Sequence, residues 1–217
     1  MMHAFFTKYK AAIITVLSSV AINYLVGFLT AVLVYKFSLF NRSSFFFIYI
    51  PSIIAMIAVL IFLYYRIGID CLVFNFGKYT IISALVGILV SWLFLHSINK
   101  YFSENAILDE FSKMDFSTLI IGIVLIGIIA PTLEEIIIRG YFFQSIKDHF
   151  GTSLAWIISV LLSLFIHLVG VTTFAAVLVI YFLGGIIIIT AVYQVGKIPA
   201  AIFVHGFINI YMFVIIK

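Results

Sequence analysis

Charge is what this sequence has least of. Asp, Glu, Lys and Arg make up only 9% of its 217 residues, against about 25% in an average soluble domain. So few polar groups cannot coat a water-facing surface. The single cysteine, Cys71, excludes an intrachain disulfide and a multi-cysteine zinc cage. Basic stripes are missing as well. The twelve Lys and Arg are scattered singly, mostly between apolar runs, so no row of cations is available to neutralise consecutive phosphates and no nucleic-acid partner is expected. Acidic residues are absent from every long apolar run before Asn99.

What the chain has instead is hydrocarbon. It is 65% hydrophobic, with a mean hydropathy of +1.32. The pattern predicts an all-α, polytopic transmembrane bundle of about seven spans, at roughly 11–35, 45–65, 79–98, 117–146, 153–170, 172–193 and 198–216. The run from Ala11 to Tyr35 is too long for a signal peptide's apolar core and is read as a retained first span. Tyr64, Tyr65, Trp92, Tyr101 and Tyr193 lie near run ends, as an aromatic belt would place them. The flanking Lys and Arg divide almost evenly between the two sides and so hardly orient the bundle. Between Asn99 and Asp115, charges mix with Ile107, Leu108, Phe111 and Met114 at helical spacing, which suits an interfacial amphipathic helix or a solvated loop. This connector divides a single domain, 1–217, into accessory spans, 1–98, and a half, 117–217, that holds the residues suited to chemistry.

The fourth run carries Glu134, Glu135 and Arg139. An ionisable group at the bilayer centre costs about 2.5–3.5 kcal/mol on insertion scales, so three within six residues call for shared partners or a wet cavity. Glu135 and Arg139 are four apart with the acid first, the favourable order for an ion pair. Glu134 points about 140° away from Arg139 on an α-helix. That leaves Glu134 without a same-helix cation and suited to general base work. Pro131 lacks an N–H and disfavours helix at Ala130, so a kink or break is expected there, admitting water near Glu134. The plainer reading is a span that ends early, with the acids paired at the interface.

Two later runs add His167 and, four residues apart on one helix face, His205 and Asn209. A histidine on an apolar helix is often only a satisfied core residue, but inside a membrane such groups face a cavity or a partner. The set is complete for water-mediated peptide hydrolysis. Glu134 takes a proton from water, His167 shares that task or protonates the leaving amine, and His205 and Asn209 hydrogen-bond the oxyanion. Ser163 lies one turn before His167, but no acid completes a serine triad on that helix. Two Glu and two His have the right chemistry for zinc. The spacing is not His-Glu-x-x-His, however, and Arg139 competes for Glu135, so no cofactor is called for. A proton-coupled transporter could use the same acids, but such transporters often pair two similar halves, and here only one half carries them.

The string Ala130-Pro131, Glu134-Glu135-x-x-x-Arg139, Gly140, then His167, then Gly184, Gly185 and Tyr193 ahead of His205-x-x-x-Asn209, resembles the motifs of the CPBP family. These are the CAAX-processing and bacteriocin-processing intramembrane glutamic peptidases, also called the Abi family. The resemblance covers about 131–209. Ser163 stands where the second motif usually has Phe, with Phe165 nearby. The resemblance implies that Glu134 and His167 activate water, that Glu135 and Arg139 organise the site, and that His205 and Asn209 stabilise the oxyanion. It implies a peptide or membrane-anchored protein substrate, or a non-catalytic role in bacteriocin self-immunity. The chain's size and Ile/Phe/Lys/Asn-rich composition suit a bacterial cell membrane, which favours peptide processing or immunity over CAAX cleavage.

Overall fold

The computed structural model describes residues 2–36, 45–68, 72, 74, 76–99, 116–169 and 176–215. Side chains are described for all of these except 2–9, 11–13, 45–48, 98–99, 165–169, 176–181 and 213–215. The described residues are helical apart from short connections. This follows from the composition: an apolar segment surrounded by lipid must satisfy its backbone N–H and C=O groups within itself.

The helices are α1 (Met2–Lys36), α2 (Phe45–Ile67), α3 (Lys78–Asn99), α4 (Phe116–Phe150) and α5 (Thr152–Val169), followed by a helical run Ala176–Ile215. Glycine ends two of them. Gly68 (φ 87) follows α2 and Gly151 (φ 88) follows α4, each donating its N–H to the carbonyl four residues back, Tyr64 and Lys147 respectively, at 2.9 Å. A side chain would be strained at such φ values.

The last run is two helices. Lys197 has φ 62 and ψ −165, outside helical space, and Pro199 follows two residues later. We call the parts α6 (176–196) and α7 (198–215). A Cβ on Gly185 would lie 3.6 Å from the Ile208 side chain. On a straight helix these positions would be about 35 Å apart. Gly87 of α3 likewise meets both Val192 and Val204. The chain therefore reverses at Lys197, and α6 and α7 lie side by side as an antiparallel hairpin packed on α3.

Five runs are long and apolar enough to cross a membrane: Ile14–Lys36, Tyr49–Ile67, Lys78–Ser97, Phe116–Phe150 and Phe182–Met212, the last doubled at Lys197. The apolar stretch Thr152–Leu164 is shorter. An all-α architecture of five to six long apolar helices is thus what the described residues show of the polytopic bundle expected from the sequence. The spans expected at 172–193 and 198–216 fall on either side of the Lys197 reversal. At about 1.5 Å per residue, α4 is about 52 Å long, beyond the roughly 30 Å of a hydrocarbon core. Its last turns, with Lys147 and Asp148 exposed, are the polar part. The amphipathic helix expected between Asn99 and Asp115 lies outside the described residues, save Asn99 at the end of α3.

Tyr64, Tyr65 and Trp92 are exposed, as interfacial anchors are. Tyr193 is not one of them: it is buried, accepts a hydrogen bond from Gln144 Nε2 at 2.6 Å and packs edge-on against Phe143. The hairpin turns Tyr193 inward, against the polar end of α4, where its hydroxyl has a partner.

Candidate active site

The site is built on α4, which departs twice from α-helical register. Leu125–Ile129 and Ile136–Phe142 are π-helical. In the first stretch Ala130 donates its N–H to Leu125 O, five residues back. The next donor in that register for Ile126 O would be Pro131, which has none. The orphaned carbonyl is met from another helix: Asn209 Nδ2 donates to Ile126 O at 3.1 Å. The helix is not broken at Pro131, since Ala130 keeps φ −60 and ψ −50. The expected break is replaced by a register shift, which absorbs the missing donor while the chain stays helical.

Two glycines permit that contact. A Cβ on Gly206 would collide with Gly127 O, and one on Gly127 would meet Ile210. Backbones of α4 and α7 therefore touch, the arrangement small residues allow between membrane helices. Asn209 lies one turn beyond this crossing and His205 next to it.

Glu135 and Arg139 are almost fully buried, at 0% and 1% exposure. Arg139 Nη1 donates to Glu135 Oε1 at 3.0 Å, and Nη2 donates to Thr190 Oγ1 on α6 at 3.1 Å. The Thr190 hydroxyl in turn donates to Ile186 O at 2.7 Å. His205 Nδ1 lies 2.7 Å from the same Glu135 oxygen, so Nδ1 carries the hydrogen when the carboxylate is ionised. His205 Nε2 then points toward Glu134, 3.7 Å from its Oε2. One arginine faces two carboxylates, and the imidazole sits between the two acids.

Glu134 differs from its neighbour in one respect that matters. At 14% exposure it is the carboxylate that reaches open space. It lines a cavity with Ile137, Ile138 and Phe142 of α4, Met56 and Val59 of α2, Leu162 of α5, and Ser19, Val20, Asn23 and Tyr24 of α1. The cavity offers about 40 Å³ to the centres of water molecules, where one water needs about 10–15 Å³. A water therefore fits beside Glu134. Ser163 is buried with its hydroxyl donating to Ser159 O at 2.8 Å.

Of the six residues singled out in the sequence, Glu134, Glu135, Arg139 and His205 form one cluster. Asn209 lies a turn away on the α4 backbone. His167 falls within α5, and its side chain lies outside the described residues. Among the described residues no group of three or more His, Cys, Asp or Glu has metal-holding geometry. Sequence reasoning missed Thr190, which completes the Arg139 environment from 51 residues away. It also missed the α1 side of the cavity. The signal was there in Ser19-x-x-x-Asn23, polar groups one turn apart in an otherwise apolar run.

Comparison with known proteins bears on this half of the chain. No curated protein and no solved structure matches it. Residues 116–211 match the family described as Type II CAAX prenyl endopeptidase Rce1-like, a distant relative of the CPBP family. The matched stretch is somewhat less than half of the chain, spans α4 to α7, and contains every candidate residue from Glu134 to Asn209. In that stretch the chain is similar to the CAAX proteases, and its helices there include runs long and apolar enough to cross a membrane.

Proposed function

We propose that this protein is an intramembrane endopeptidase that hydrolyses a peptide bond in a membrane-associated peptide or protein precursor, using water activated by Glu134. The observation that carries the reading is the division of labour between two adjacent carboxylates. Glu135 is sealed among Arg139, Thr190 and His205 contacts, while Glu134 opens on a water-sized cavity.

In this reading Glu134 removes a proton from water held in the cavity, and the resulting hydroxide adds to the scissile carbonyl carbon. The oxyanion is met by His205 Nε2 in its protonated form and by the Asn209 N–H not used on Ile126. The C–N bond then breaks, and the proton on Glu134 passes to the leaving amine directly or through His167. Water's OH ends on the new carboxyl group and its hydrogen on the new amine. Glu135 and Arg139 touch no reacting atom; they fix His205 and balance charge. The seven crossings expected from the sequence belong to the same reading, with α6 and α7 each crossing once. So does residence in a bacterial cell membrane.

The test is purified protein in proteoliposomes against prenylated and leader-type peptides, wild type beside Glu134→Ala, with and without a chelator. Cleavage by the wild type alone, insensitive to chelator, supports the reading. Unchanged turnover in the variant removes the glutamate mechanism, and loss with chelator alone points to a metal. Protection against a bacteriocin that survives Glu134→Ala would favour a non-catalytic immunity protein.

A further inference from the structure

We infer that Asn23 of α1 binds substrate, holding the backbone of the peptide under attack, and that the residue it holds carries an apolar side chain. The inference rests on the hydrolytic reading above and names one side of its binding site.

Helix α1 is mostly a lipid-facing helix: Leu17, Leu25, Phe28, Leu29 and Leu33 are exposed. A carboxamide is a costly residue to keep on such a helix, because each unmatched polar group in hydrocarbon carries a desolvation penalty. Two hydroxyls of α1 solve that problem within the helix. Ser19 donates to Thr15 O at 2.8 Å and Thr30 to Val26 O at 2.7 Å. Asn23 does not: among the described residues none hydrogen-bonds its carboxamide. Its side chain instead lines the Glu134 cavity.

A peptide segment entering that cavity brings its own unmatched N–H and C=O groups, which the hydrocarbon around it cannot satisfy. One carboxamide supplies two donors and an acceptor, enough to pair with both groups of a peptide unit. That pairing answers two needs at once, those of Asn23 and of the strand. The rest of the wall selects the side chain. Met56, Val59, Ile137, Ile138, Phe142 and Leu162 are apolar, and among the described residues Glu134 is the one charged group lining the cavity. A lysine there would pair with Glu134 and occupy the base; an acid would sit against it unpaired. A compact apolar side chain meets neither objection.

The experiment uses internally quenched decapeptides of one parent sequence, with Leu, Ser, Lys or Asp at a single varied position, and the full chain in proteoliposomes. Wild type is compared with Asn23→Leu, Asn23→Gln, Thr30→Val and Glu134→Gln. We expect Asn23→Leu to lower kcat/KM at least tenfold, chiefly through KM. Asn23→Gln should recover part of that loss, Thr30→Val should match wild type, and the Leu peptide should be preferred over the Lys peptide at least tenfold. Wild-type kinetics in Asn23→Leu, with Glu134→Gln inactive, would overturn the inference and leave the hydrolytic reading standing. So would equal cleavage of the Leu and Lys peptides. Unfolding of both Asn23 variants would make the residue structural and also overturn it. Full activity in Glu134→Gln, or no cleavage of any peptide by wild type, would defeat the underlying reading and the inference with it.

Discussion

Asn209→Leu keeps most of the side-chain volume but removes the carboxamide that serves the Ile126 carbonyl. That carbonyl cannot turn to its own helix, because Ala130 is committed to Leu125 and Pro131 has no N–H. Neither is water freely available, since Ile126 and Gly127 are buried against α7. Hydrogen bonds between membrane helices average about 0.6 kcal/mol and reach about 1.7. Leaving a buried acceptor bare costs about 1–3 kcal/mol. We therefore expect Asn209→Leu to destabilise the fold by about 1–1.7 kcal/mol, in the overlap of those ranges. Pro131→Ala supplies the missing N–H, so in that background the same substitution should cost less. A double-mutant cycle should return a coupling of about 1 kcal/mol. Reversible unfolding in mixed micelles, followed by the fluorescence of Trp92 and Trp156, measures it. Equal costs of Asn209→Leu with Pro131 and with Ala at that position would refute the register argument.

Other outcomes follow from the same geometry. Arg139→Leu takes the cation from the buried Glu135 and should cost about 3–5 kcal/mol, read as loss of the folded monodisperse peak. Thr190→Val leaves the buried Arg139 Nη2 without this acceptor and should cost about 1.5–3 kcal/mol in the same unfolding assay. Gly206→Val drives a side chain into the Gly127 backbone; it should separate α7 from α4 and abolish peptide cleavage, whereas wild-type kinetics would deny the close crossing. In a Cys71→Ser background, cysteines at positions 185 and 208 should be joined by a short bifunctional reagent. Failure to crosslink would contradict the hairpin at Lys197.

How much of this was legible in the sequence depended on spacing along one helix. Glu135 and Arg139 form the pair their i, i+4 order favours, and His205 and Asn209 share a face because they too are one turn apart. Long-range partners were not legible. Thr190 and Gln144 are unremarkable in type, and runs that are apolar all round carry no periodic sign of which face meets which helix. The π-helical stretches were hidden for a different reason. Pro131 announces a missing donor, but whether a helix answers by kinking or by shifting register depends on a partner such as Asn209 arriving from α7. The separate runs expected at 172–193 and 198–216 did anticipate a turn near Lys197, and the contacts of Gly185 and Gly87 show which faces of the two helices meet.

The central claim, that Glu134 activates the attacking water, is tested most directly by Glu134→Gln in single-turnover cleavage. This substitution keeps shape and hydrogen-bonding capacity while removing the base. General base catalysis contributes about 10²–10⁴ in rate. A loss in that range, with the variant unfolding at the same denaturant concentration as wild type, is the expected result. A folded Glu134→Gln protein that cleaves at the wild-type rate would contradict the account.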